Sequence, residues 1–197
     1  MKQRRFQILG LLVLLLLAAG CSQQRDDRLE AAIHARYGGD ALFSSVIQMR
    51  LNQGDFVSDY TLSYAGQPEN GHILTVTAPS EVAGLAVQVR RDKTIEVTYD
   101  GAVFLPANLD GTTLSPIAIL CDLISNWQTG YADSVQTEKQ NGQTVVIWTA
   151  FSDDTGEEMT YRTVFQKDTL EPRRAECFHA GVCVLSLTFS DQQWIKT

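Results

Sequence analysis

Cysteine and histidine are the side chains of this sequence best suited to chemistry, four of the first and three of the second. Cys177 and Cys183 flank the stretch from Phe178 to Val182. If His179-Ala180-Gly181 forms a three-residue hairpin loop, the two thiols face one another across an antiparallel ladder, where opposed residues approach to about 4.5–5.5 Å. In an oxidising compartment that spacing predicts a disulfide. Two reduced, partly buried thiols are the alternative, because closing so small a loop contributes little stability. A zinc site built from Cys177, His179 and Cys183 lacks a fourth ligand at a workable spacing. Cys121, set between Ile119-Leu120 and Leu123, reads as core. His34, His72 and His179 fall in no nucleophile elbow, no zinc-protease helix and no Cys/His constellation, so hydrolase chemistry is not expected. The run Asp153-Asp154-Thr155-Gly156-Glu157-Glu158 lacks the alternating ligands of a calcium loop and reads as a solvated hairpin tip. No phosphate-cradling G-x-x-x-x-G-K loop occurs, and nothing in the sequence calls for a metal or a cofactor.

Cys21 has a different context. Lys2, Arg4 and Arg5 precede an apolar run from Ile8 to Ala19, and the small residues Ala18-Ala19-Gly20 stand directly before the thiol. This is the pattern of an export signal. A run of about a dozen residues rises only about 18 Å as a helix, too little for a hydrocarbon core of about 30 Å, so cleavage is expected rather than retention. Leu17-Ala18-Ala19-Gly20-Cys21 resembles the lipobox of bacterial lipoproteins. The resemblance implies that residues 1–20 are a signal peptide and that Cys21 becomes a diacylglyceryl cysteine at the mature N-terminus. Residues 21–26 would then form a short polar tether outside the cytoplasm, and two acyl chains would hold the protein to the membrane.

The elements that must position the remaining side chains belong to one domain, 27–197. The chain has 197 residues, 44% of them apolar, which excludes a disordered polymer and a multi-span membrane protein. Without the three leader cations, 13 basic residues stand against 23 acidic ones, a balance of −10 that argues against a nucleic-acid partner. Asp27 and Glu30 form a capping-box-like start to a helix whose stripe is Leu29, Ile33 and Tyr37, stopping at Gly38. From Phe43 to Phe104 the apolar period is two, broken by short turn-forming stretches such as Asn52-Gln53-Gly54 and Asp100-Gly101, which predicts about six antiparallel strands. Ser115-Pro116 opens a second helix with Ile117, Leu120, Leu123, Ile124 and Trp127 on one face. After a polar stretch, Thr144–Phe151, Met159–Gln166, Arg173–Phe178 and Val182–Phe189 resume the strand pattern. The fold class is therefore α+β and mainly β. A single antiparallel sheet of about ten strands is strongly curved over two helices, an arrangement that often leaves an apolar groove.

Two sets of residues carry a family resemblance. Thr77-Ala78-Pro79-Ser80-Glu81-Val82-Ala83-Gly84-Leu85, Val97-Thr98-Tyr99-Asp100-Gly101 and Leu114-Ser115-Pro116-Ile117 resemble exported lipoproteins of spore-forming bacteria related to the germination lipoprotein GerS. Asp168-Thr169-Leu170-Glu171-Pro172-Arg173 and Leu185-Ser186-Leu187-Thr188-Phe189-Ser190-Asp191 look like the closing hairpins of the wider superfamily of Lol-type lipoprotein carriers. The resemblance implies an incomplete barrel with helices plugging its concavity, and a role in spore or cell-envelope processes. Tyr60, Tyr64, Phe104, Trp127, Trp148 and Phe165 fall on predicted inward faces or, with Leu120 and Ile124, on the helix stripe. They either fill the core or line a ligand groove. The first case predicts a non-enzymatic, membrane-anchored module that binds another exported protein; the second predicts a carrier of acyl chains or lipidated protein.

Overall fold

The period-two alternation becomes antiparallel ladders. The computed structural model describes residues 26–38, 41–67, 71–90, 92, 94–104, 115–152 and 158–196. The leader, Cys21 and the acidic tip from Asp153 to Glu157 lie outside the described residues. Strands β1 (Ala41–Gln53), β2 (Phe56–Gln67), β3 (Gly71–Ala78), β4 (Ala86–Val89), β5 (Ile95–Tyr99) and β6 (Ala102–Phe104) form one meander. A second comprises β7 (Ser134–Gln140), β8 (Gln143–Ser152), β9 (Met159–Gln166), β10 (Pro172–His179) and β11 (Val182–Lys196). Together they make one open 11-stranded sheet in the order β6-β5-β4-β3-β2-β1-β11-β10-β9-β8-β7. The first and last strands pair at its centre, from Ala41 opposite Lys196 to Leu51 opposite Leu185.

Helices α1 (Asp27–Tyr37) and α2 (Pro116–Thr129) cover one face. Because β6 and β7 are opposite edges of the sheet, the chain must cross its whole width between Phe104 and Ser134, and α2 lies on that crossing. The α1 cap is one residue earlier than the sequence pattern suggested. The Asp26 carboxylate accepts hydrogen bonds from the backbone N–H groups of Arg28 at 3.2 Å and Leu29 at 3.3 Å. Glu30 does not complete a capping box; it is buried and accepts the Ala132 N–H at 3.2 Å, fastening α1 to the segment that leads into β7. In α2, Pro116 occupies the first turn, where its missing N–H costs nothing, and Ile119, Leu120, Cys121, Leu123, Ile124 and Trp127 are buried.

The sheet has one strand more than about ten. The addition is β7, Ser-Val-Gln-Thr-Glu-Lys-Gln, which reads as polar because only Ser134 and Val135 are buried. An edge strand exposes one side to water, and the charges of Glu138 and Lys139 suit it to that position. Asn141-Gly142, with φ near 50° and 78°, closes β7 onto β8 and is the sequence signal that marks the hairpin. On the face away from the helices, Val145, Ile147 and Val164 form a small second cluster. Arg174 lies opposite Val164 in register and donates to Gln140 Oε1 at 3.3 Å, which lays its aliphatic stem along that face. Among the described residues, no helix is long and apolar enough to cross a membrane.

Candidate functional site

The concave face is occupied by the protein's own side chains. Tyr64, Leu120, Ile124, Trp127, Trp148 and Phe165 are each at most 1% exposed and belong to one cluster. Tyr60 is partly buried and packs at the margin of that cluster. Phe104 is a correction: it was expected to point inward and is 54% exposed. It ends β6, a three-residue edge strand with every side chain exposed, so alternation there has no covering layer to point toward.

Aromatic rings link the helices to the sheet. Tyr37 stands at 5.3 Å from Trp127 and 5.3 Å from Phe43, centroid to centroid, and Trp127 at 5.3 Å from Phe165. These spacings, with steep interplanar angles, put ring edges against ring faces. The polar tips of Trp127 and Tyr37 have specific partners. The Trp127 indole N–H donates to Thr163 Oγ1 at 3.1 Å, and the Tyr37 hydroxyl donates to the Leu170 carbonyl at 2.7 Å. Burial raises the Tyr37 and Tyr64 hydroxyls far above the usual phenol range, so both stay neutral. The Arg36 guanidinium lies 3.9 Å over the Trp194 ring, with Glu171 at 4.0 Å from it. Phe43, Phe189 and Trp194 belong to this network without having been singled out in the sequence; Phe189 continues the alternation Leu185, Leu187, which was the available signal.

One polar constellation was not legible. His72 on β3 is bracketed by Tyr64 of β2, whose hydroxyl is 2.8 Å from Nδ1, and by Ser125 of α2, whose Oγ is 3.4 Å from Nε2. The order serine, histidine, phenol invites comparison with a nucleophile and its base. The roles in both contacts follow the imidazole tautomer: a phenol donating to Nδ1 would leave the ring proton on Nε2, facing Ser125. Tyr64 is neutral and offers no charge to stabilise an imidazolium, while burial lowers the His72 pKa. The trio is a polar latch between α2 and the β2–β3 hairpin.

Cys121, Cys177 and Cys183 are free thiols. The expected facing of Cys177 and Cys183 is corrected by the turn. Ala180-Gly181, both in the left-handed region at φ 48° and 78°, make a two-residue connection with His179 opposite Val182. The pairing then shifts, so that Phe178 faces Cys183 and Cys177 faces Leu185. Cys177 is fully buried, whereas Cys183 is half-buried with its Sγ 3.4 Å from Ser186 Oγ. Burial pushes the Cys121 and Cys177 thiols far up, which suppresses the thiolate that nucleophilic or metal chemistry needs.

The outer surface differs in character. Large apolar side chains stand exposed at hairpin ends and connections, among them Tyr131 at 81% and Phe56 at 75%. Fold and interior together define a mainly β protein whose open sheet is filled from within and whose exposed apolar groups lie outside. No family model and no curated protein matches the chain. Solved structures similar to it include an outer membrane lipoprotein-sorting protein domain from Vibrio parahaemolyticus, at 13% identity and a TM-score of 0.44 over 85% of this chain and 90% of that one. A LolA superfamily protein from Nitrosomonas europaea is similar at 11% identity and a TM-score of 0.44, covering 84% and 92%. The structure of the CwlD amidase from Clostridioides difficile in complex with the GerS lipoprotein contains a chain similar at 12% identity and a TM-score of 0.38, covering 86% and 96%.

Proposed function

We propose that the chain is a non-enzymatic binding module of the bacterial envelope, anchored to the extracytoplasmic face of a membrane through a diacylglyceryl Cys21, and that its outer surface docks another exported protein. The observation that favours docking over transport is the occupancy of the concavity. Leu120, Ile124 and Trp127 of α2 and Ile33 and Tyr37 of α1 take up the face along which an acyl chain would have to lie. The Trp127–Thr163 hydrogen bond ties the largest of these groups to the sheet, so opening a groove would break a buried polar contact as well as apolar packing. Anchoring is supported by the leader and by the small residues before Cys21.

Isolation of the anchored protein from membranes tests both parts. A binding module brings down an exported protein in fixed ratio and carries no lipid beyond that attached to Cys21. A carrier instead retains a non-covalent acyl ligand, visible by native mass spectrometry, and finding one would replace the docking reading. Fatty-acid labelling that persists in Cys21→Ala would overturn the anchor.

A further inference from the structure

The two edges of the sheet are unlike. β7 presents exposed Gln136, Thr137, Glu138 and Lys139, a polar row that suits contact with water. β6 carries no charge: Ala102, Val103 and Phe104 are all exposed, Val103 at 59%. Neither a lysine nor a proline guards this edge, and among the described residues no strand lies beyond it.

The β5–β6 hairpin fixes which backbone groups face outward. Asp100-Gly101, at φ 49° and 75°, join the strands with Tyr99 opposite Ala102. In a two-residue hairpin the residues flanking the turn exchange both hydrogen bonds, so alternation turns the N–H and C=O of Val103 away from β5, toward the open edge. A donor and an acceptor on one edge residue are what an antiparallel strand meets together. Side chains follow the same alternation. Phe104 lies opposite Val97, which packs against the core, so Phe104, Ala102 and Tyr99 share the helix-side face and Val103 stands on the other.

β6 complements itself. An antiparallel copy centred on Val103 exchanges two Val103 backbone hydrogen bonds across a two-fold axis and sets each Phe104 against Ala102 of the second copy, a ring against a methyl group. Tyr99 and Val97 flank these pairs on the same face. Asp100 is the one charged residue from Tyr99 to Phe104. Its two copies would stand about 20 Å apart along the strands, beyond the screening length of about 8 Å. Glu96, on the neighbouring strand, is paired with Arg90 at 2.8 Å. Joining β6 to β7 instead would set Glu138 and Lys139 against apolar side chains and leave the array unclosed. We infer that β6 is the seam of a two-fold dimer of this chain, formed by β6–β6 pairing at Val103. The seam is short beside those of stable soluble dimers, which bury about 1,200 Å² or more, so pairing is reversible and fills as copies are concentrated. It requires neither the anchor nor the docked protein proposed above.

Cysteine crosslinking in membranes carrying the full-length chain tests the seam. The variants are Val103→Cys on β6 and Lys139→Cys on β7, each with Cys183→Ser to remove the half-buried native thiol. Opposed residues of a hydrogen-bonded pair stand about 5.5 Å apart at Cα, inside the span a disulfide bridges. Under mild oxidation Val103→Cys is expected to give a dimer linked through the residue-103 peptides of both copies. Its yield should be at least about tenfold above that of Lys139→Cys, since pairing raises the local thiol concentration. Adding Phe104→Asp should abolish the excess while leaving the denaturant midpoint unchanged, because that side chain is exposed. Equal yields at the two edges, or an excess that survives Phe104→Asp, would mark chance collision and overturn the dimer. So would a Val103→Cys adduct with a different protein. No dimer at all, with an exported protein still co-isolated, would remove the pairing and leave the binding module standing.

Discussion

At the scale of single residues, Trp127 decides how the interior is used. Its indole has no solvent exposure, donates to Thr163 and touches three other rings. Trp127→Ala is expected to lower stability by about 3–5 kcal/mol, measured from the denaturant midpoint, because the hole cannot close around so large a loss. A small cost with new uptake of an apolar dye would instead mark a groove. His72 makes a second residue-level prediction. Burial holds its folded pKa below the ordinary value of 6.5, so the unfolded chain takes up the proton first. Its contribution is fully present above about pH 6.5 and is lost as pH falls toward the lowered folded value. His72→Gln should flatten the stability profile between pH 7.5 and 5.5, read as denaturant midpoints. For the cysteines, mass spectrometry after alkylation should show three thiols in the body without reduction. Cys183 should react first in the folded state, because Cys121 and Cys177 are buried.

At the scale of elements, the start of α1 separates pattern from geometry. Asp26 and Asp27 both suit a cap by type; Asp26 takes the N-cap position, and its side chain accepts the free N–H groups of Arg28 and Leu29. Asp26→Ala should cost about 0.5–2 kcal/mol and Asp27→Ala distinctly less, compared by thermal or chemical unfolding. The second helix follows its sequence closely, since Ser115-Pro116 and the stripe from Leu120 to Trp127 survive intact in the structure. Helix propensity alone would not hold it. It is retained because its apolar face is buried against the sheet while its N-terminus carries no side-chain cap.

At the scale of the whole molecule, the centre of the sheet joins the two ends of the chain. β1 and β11 pair from Ala41–Lys196 to Leu51–Leu185, with one irregularity between Ser44 and Val46, and each meander depends on that seam for its innermost neighbour. Unfolding should therefore be one cooperative transition rather than two. A chain ending at His179 lacks the seam and is expected to lose cooperative unfolding altogether, by circular dichroism and near-ultraviolet signal alike. Two independent transitions in the full-length chain would show that the halves fold separately.

The amino-acid pattern alone determined which segments alternate with period two, which form helices, and that the inward residues Tyr64, Trp148 and Phe165 and the α2 stripe meet in one interior. Those properties are local: side-chain direction in a strand or helix follows from period, and apolar faces must find one another. Tertiary structure decided what depends on neighbours. β7 has too little buried surface to show an alternation, Phe104 alternates correctly at an edge where nothing covers it, and the Cys177–Cys183 relation changed when a two-residue turn replaced a three-residue one. His72, Tyr64 and Ser125 meet only because α2 crosses the β2–β3 hairpin, a contact between elements far apart in sequence.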